Sequence, residues 1–251
     1  MLKINRIYNM DCLEGMRRIE NKSIDMILCD LPYGQTKNHW DIPIPLDLLW
    51  KHYKRIIKDN GAIVLFASGM FTAELMQSNK EMWRYNLVWD KVLTTGFLDA
   101  NRRPLRRHED ICIFYKQQPS YSPQKTIGNV NHSMGYSTKY RTNNNFGEFE
   151  FKDNREELGV LKHPTSILKF PKNHPSKMQH PTEKPIPLFR WLIESFSKEG
   201  DLILDNCIGK GTTAEACIEL GNRNFIGFEN DIDMFNIANK NIRNVQRKLI
   251  I

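Results

Sequence analysis

Two short apolar runs, residues 24–29 and 62–68, are each flanked by segments with helical periodicity. This alternation constrains the fold more than any other feature. Runs of this length are too short for a buried helix and read as strands covered on both faces. Residues 4–9 read as a further short strand. Residues 12–19, 46–58 and 71–78 read as helices, the second of them stopping before Asn60-Gly61. The order βαβαβα belongs to a parallel sheet covered by helices. The pattern resumes late in the chain, with helices at 186–196, 212–220 and 231–245 and strands at 201–205 and 224–228. The expected fold class is α/β, a doubly wound and mostly parallel sheet. No internal repeat is visible.

The middle of the chain breaks the pattern. Residues 85–90 and 110–116 read as strands joined by a long loop holding Arg102, Arg103, Arg106, Arg107 and His108. A loop of this size in a compact core implies a function. Residues 117–179 are rich in Asn, Ser, Pro, Lys and Tyr and show no period. They read as an insertion with little regular structure of its own. The chain therefore divides into residues 1–116, 117–179 and 180–251.

Composition narrows the function classes. The 251 residues carry a net charge of +7, with an isoelectric point near 9.1, which favours a polyanionic partner. A mean hydropathy of −0.53 argues against a membrane protein, and the first residues lack an apolar signal core. The five cysteines (Cys12, Cys29, Cys112, Cys207, Cys217) include no Cys-x-x-Cys pair. They read as reduced thiols of a cytoplasmic protein rather than a disulfide or zinc framework. The seven histidines show no metal-ligand spacing, so no metal site is expected.

Four motifs carry chemistry. Asp30-Leu31-Pro32-Tyr33 follows the strand at 24–29, where open α/β sheets bind ligands. Taken alone, these four residues are equally a plain turn. Asp205-Asn206-Cys207-Ile208-Gly209-Lys210-Gly211-Thr212-Thr213 joins a strand to a helix, and its glycines let a ligand approach a helix N-terminus. It lacks the Gly-Lys-Ser/Thr ending of a phosphate-binding loop. Glu229, with Asn230 behind it, ends a strand about 20 residues beyond the glycines, where an acid can bind ribose hydroxyls. His180-Pro181-Thr182-Glu183-Lys184-Pro185 precedes a helix.

In this order the motifs resemble the β-type amino-methyltransferases of DNA. Trp40-Asp41, Gly96-Phe97-Leu98, Pro104-Leu105-Arg106 and His108-Glu109-Asp110 are similar to the short phage and prophage adenine methyltransferases. The resemblance covers nearly the whole chain and is weakest over residues 117–179. It implies a circularly permuted methyltransferase fold that binds S-adenosylmethionine (SAM), with the catalytic half first and the SAM half last. The strand at 4–9 then belongs to the SAM half. The implied catalytic residues are Asp30, Leu31, Pro32 and Tyr33. The implied cofactor residues are Asp11, Cys12, Asp30, Thr182, Lys184, Asp205, Asn206, Cys207, Gly209, Gly211, Thr212, Thr213, Glu229 and Asn230. Asp11 is equally a helix N-cap, and the two roles are compatible. Leu31 stands where the family more often has proline, and Asn206-Cys207 where it usually has Pro-Phe.

The activity implied is methyl transfer from SAM to adenine N6 in DNA, with the base flipped out and the methyl displaced in line. No cysteine follows a proline, so the nucleophile of cytosine-C5 methylation is missing. N4-cytosine methylation uses the same geometry, although that group more often has Ser at the position of Asp30. Structured RNA is a further substrate class to test. An idle SAM- or DNA-binding module would not need Asp30-x-Pro-Tyr33, and neither would a nucleotide-dependent oxidoreductase. The arginine-rich loop (Arg102, Arg103, Arg106, Arg107, His108) is expected on DNA phosphates. The insertion, with Lys139 and Arg141, is the expected target-recognition region, and residues 35–41 are an expected lid. A homodimer and a separate restriction endonuclease are compatible with either a restriction-linked or an orphan enzyme. At this length an endonuclease domain is not expected within the chain.

Overall fold

The computed structural model describes residues 2–34, 41–129, 160–172 and 184–249. Contacts separate two compact units, residues 1–122 with 166–251, and residues 123–165. In the smaller unit, β6 (Thr126–Ile127) pairs antiparallel with β7 (Leu161–Lys162).

The larger unit is built on an eight-stranded sheet. Its strands are β1 (Arg6–Asn9), β2 (Ile24–Asp30), β3 (Ile57–Ala67), β4 (Trp83–Thr95), β5 (Arg106–Phe114), β8 (Ile167–Lys169), β9 (Leu202–Asp205) and β10 (Asn224–Glu229). The spatial order is β1-β10-β9-β2-β3-β5-β4-β8. The first five strands in that order run parallel, while β5 is antiparallel to both β3 and β4. The N-terminal strand thus lies beside β10 from the end of the chain, as the permuted order requires.

Side-chain alternation along the strands makes two cores. Met26, Leu28, Val64 and Phe66 face one cluster, closed by α4 (Ile186–Phe196), α5 (Thr212–Leu220) and α6 (Ile232–Lys248). Ile27, Cys29, Ile63 and Leu65 face the other, closed by α1 (Cys12–Arg17), α2 (Leu46–Ile56) and α3 (Met70–Ser78). Because the sheet is covered on both faces, its central strands read as continuous apolar runs rather than alternating ones.

Three sequence expectations change. Helix α2 stops at Ile56, and β3 begins at once rather than at residue 62, because a bulge separates the pairs Ile24–Ile57 and Met26–Ala62. Gly61 permits it: a Cβ there would lie 2.8 Å from the Asp25 carbonyl. The long loop expected between residues 90 and 110 is mostly a hairpin. Its charged arms extend beyond the core, so they carry no apolar signal, yet they keep their ladder bonds, with Thr95 opposite Arg106. Finally, β8 belongs to the central sheet although it falls within residues 117–179. It is three residues long with only Leu168 buried, too short for a period to show.

Candidate active site

Parallel strands present their carboxyl ends along one edge. Asp30 ends β2, Asp205 ends β9 and Glu229 ends β10, while Asp11 follows β1. Antiparallel β5 brings its first half to the same edge, and with it Glu109. These groups line one cavity of about 670 Å3. One end is formed by Asp11, Cys12, Asp205–Gly209 and Glu229–Asp231, and the other by Ser68, Trp89, Lys91, Thr95, Arg106 and Glu109. Asp30, Leu31, Pro32 and Tyr33 line it as well.

Asp30 is held from two sides. The Tyr33 hydroxyl donates to its Oδ1 at 2.7 Å, and Lys184 Nζ approaches its Oδ2 at 2.5 Å. Lys184 also pairs with Glu109 at 3.3 Å, and Glu109 accepts from Lys91 at 3.1 Å. The rings of Tyr33, Phe66 and Trp89 surround the Lys184 ammonium at 5.2–5.9 Å from their centroids. Burial alone would lower the Lys184 pKa, but Asp30 and Glu109 outweigh it and the net direction is upward. Burial likewise pushes Glu109 up, and Lys184 with Lys91 brings it below its ordinary value. Glu109 and Lys184 therefore favour their charged forms although both are buried.

The glycine turn is organised from beneath. Asp205 is 3% exposed. Its carboxylate accepts from the Thr213 hydroxyl and, at 3.1 Å, from the Cys207 N–H. Burial raises its pKa to about 7 against these hydrogen bonds. Gly211 caps α5 at φ +98°, a left-handed conformation that favours glycine, with Ala238 packed close by. Gly209, at φ +54°, has open space where a Cβ would point, leaving its backbone accessible. Glu229 accepts from Gly209 N–H at 2.8 Å and Asp231 N–H at 2.9 Å, tying the two halves of this end together. Asp11 caps α1 through Oδ1, accepting from Leu13 and Glu14.

Both the motif order and the geometry match a known family. A family model described as DNA methylase, N6_N4_Mtase, matches residues 24–240. The chain belongs to this DNA methylase family. Among curated proteins it is 26% identical over 260 residues to the Type II methyltransferase M1.MboII of Moraxella bovis, covering 95% of this chain and 96% of that one. Among solved structures, the M1.HpyAVI–SAM complex superposes with a TM-score of 0.61 at 23% identity, covering 94% and 98% of the two chains. The cytosine-N4-specific PvuII DNA methyltransferase superposes at 0.65 with 15% identity, covering 96% and 91%. At these identities the structures bear on the fold alone.

Within this methylase, Asp11, Cys12, Asp30, Lys184, Asp205, Asn206, Cys207, Gly209, Thr212, Glu229 and Asn230 all line the cavity. Gly211 and Thr213 do not: they support the turn from below. Lys184 is engaged with Asp30 and Glu109, a charge arrangement the motif alone did not show. Asn206 accepts from the buried Tyr53 hydroxyl, so the Asn-Cys sequence has its own packing partner. Tyr33 is stacked on Phe71 at 5.1 Å, which uses one of its faces.

Of the arginine cluster, only Arg106 lines the cavity. Arg107 is committed to Asp90 through two bonds of 2.7 and 2.9 Å, and Arg103 is paired with Asp99. Phosphate binding by these two would compete with existing ion pairs. Thr182, Lys139, Arg141 and lid residues 35–40 lie outside the described residues. At the lid's border, Asp41 accepts from Gly34 N–H at 2.8 Å. Sequence reasoning gave no role to Lys91 and Glu109. Glu109 enters only within the His108-Glu109-Asp110 match and Lys91 follows Asp90, so among charged neighbours neither announces a buried partner. Among the described residues no cluster could hold a metal, and no helix is long and apolar enough to cross a membrane.

Proposed function

We propose that this DNA methylase transfers a methyl group from SAM to the exocyclic N6 of adenine, with the base turned out of the duplex. The observation that carries this reading is the placement of Asp30-Leu31-Pro32-Tyr33 in one cavity with the glycine turn. The turn end suits SAM: Gly209 leaves backbone open, and the Asp11, Asp205 and Glu229 carboxylates suit a cationic amino acid and a ribose. When bound, SAM supplies an electrophilic methyl group.

The residues of the chain do the rest. The adenine amine is a weak nucleophile because its lone pair is delocalised into the ring. Asp30 accepts one N6 hydrogen and the Leu31 carbonyl the other, drawing the nitrogen towards tetrahedral geometry and localising the lone pair. Asp30 then faces the positive charge that grows on N6, and a fixed carboxylate is most effective there; the methyl–sulfur bond would break to leave a neutral thioether, and the surplus N6 proton would pass to solvent. Tyr33 and Lys184 fix the carboxylate's orientation before the base arrives, so little reorganisation remains. No covalent enzyme intermediate is needed. Adenine is favoured over cytosine by Asp at position 30, where the N4 group more often has Ser.

Incubation with SAM and unmethylated DNA, followed by nucleoside analysis, should yield N6-methyladenine. Asp30→Ala should lower kcat by at least about 100-fold while SAM affinity is retained. N4-methylcytosine as the product would move the substrate to cytosine. Near wild-type turnover by Asp30→Ala would refute the catalytic assignment.

A further inference from the structure

The β4–β5 hairpin ends in an exposed apolar tip. Phe97 is 69% exposed and Leu98 fully exposed. They sit side by side on a 3-10 turn, Phe97–Asp99, entered through Gly96 at φ +94°. The tip is not a loose loop. Asp99 N–H donates to the Gly96 carbonyl at 3.0 Å, and Arg102 and Arg103 N–H both donate to the Asp99 carbonyl. Two large apolar side chains are thus held out into solvent on a pre-folded turn, an arrangement that marks an interaction site.

Position and charge identify the partner. The arms below the tip meet at Thr95 and Arg106, opposite each other in the ladder, and both line the cavity that contains Asp30. The tip is therefore rooted at the cavity rim. Residues 96–108 hold four arginines and one acid, Asp99. Arg102 has no side-chain partner among the described residues, and Arg106 is bound only weakly, to Ser68 at 3.4 Å. An apolar wedge ringed by cations fits a stacked polyanion: the cations meet phosphates and the wedge enters between bases.

We propose that Phe97 and Leu98 form a wedge that enters the duplex beside the target and fills the space a base leaves when it moves into the cavity. The inference rests on the reading of the chain as a DNA methylase. The wedge replaces stacking lost at the vacated step and so holds the base outside the helix. It does not touch the reacting atoms.

The test is Phe97→Ala with Leu98→Ala. Wild-type protein is first used to map the methylated site on unmethylated DNA, so success there secures the DNA methylase reading independently. Two duplexes carrying that site are then compared, one fully paired and one with an abasic site opposite the target. Opening the paired target requires unstacking, so the double variant should lose roughly tenfold to 100-fold in kcat/KM on that duplex. On the abasic duplex, where less stacking holds the target, it should come within about threefold of wild type. 2-Aminopurine at the target should brighten on binding wild type and stay dim with the variant. SAM affinity should be unchanged, which reports an intact fold. Equal losses on both duplexes, or no loss on either, would overturn the wedge. So would loss of a wild-type dimer in the variant with base opening intact, which would assign the tip to a second copy of the chain.

Discussion

Asp205→Asn should remove a pH dependence from SAM binding, and the structure sets its size. Asp205 is buried at the glycine turn, and desolvation raises its pKa to about 7, against 3.8 for an ordinary Asp. The protonated native form therefore persists through a range in which the unfolded chain has already lost its proton. Native stability should accordingly fall as pH rises from about 4 to about 7, by up to about 4 kcal/mol. In the proposed binding mode the ammonium of SAM would lie near this carboxyl and would favour its ionised form. At about pH 6 only about one molecule in ten would be ionised, and at about pH 8 nearly all. Wild-type Kd should then be about tenfold weaker at the lower pH, with a proton released on binding. Calorimetry in buffers of different ionisation enthalpy reads both quantities. Asp205→Asn should flatten the profile and weaken binding at about pH 8, because a charge-assisted hydrogen bond worth about 1.5–3 kcal/mol is removed. The apo variant should also be the more stable protein at that pH. Burial in the same cavity also raises Glu229 above its ordinary value, so the Asn variant isolates the share due to Asp205. A wild-type Kd that is the same at both pH values, or an Asn variant that keeps the slope, would refute the reasoning.

Lys184→Met should cost about 3–5 kcal/mol in urea unfolding, because Asp30 and Glu109 lose a buried shared cation. The wild-type pH–stability profile should show the sign of each group. The Lys184 contribution is complete below its ordinary value of 10.5 and lost as pH climbs beyond, whereas that of Glu109 is present above 4.5 and lost in acid. In Lys184→Met the alkaline loss should disappear. On the DNA side, Arg102→Ala should reduce the log-affinity against log-salt slope by about 0.9 for each phosphate it no longer neutralises, while Arg103→Ala should reduce it less because Asp99 already engages that side chain. Equal slope changes for the two would remove the distinction that the ion pair makes.

The layers and the ends of the strands are legible in short stretches of residues. Residues 26–29 and 62–67 are apolar without alternation because helices cover both faces, and that condition is written locally. Asp30, Asp205 and Glu229 could be placed together because each ends a strand of one parallel sheet, so strand direction alone brings them to a common edge. Whatever depends on a partner distant in the chain emerges only when the sheet assembles. Lys184 meets Asp30 across 154 positions, and Tyr53 meets Asn206 across 153. Arg107 reads as a free cation until Asp90 appears on the neighbouring strand. β8 exists only because β4 offers it an unpaired edge, since three residues hold too little periodicity to declare themselves. Periodicity and turn chemistry act over a few residues and survive in one dimension. The charge state and commitments of a side chain are set by neighbours brought close only when the sheet assembles.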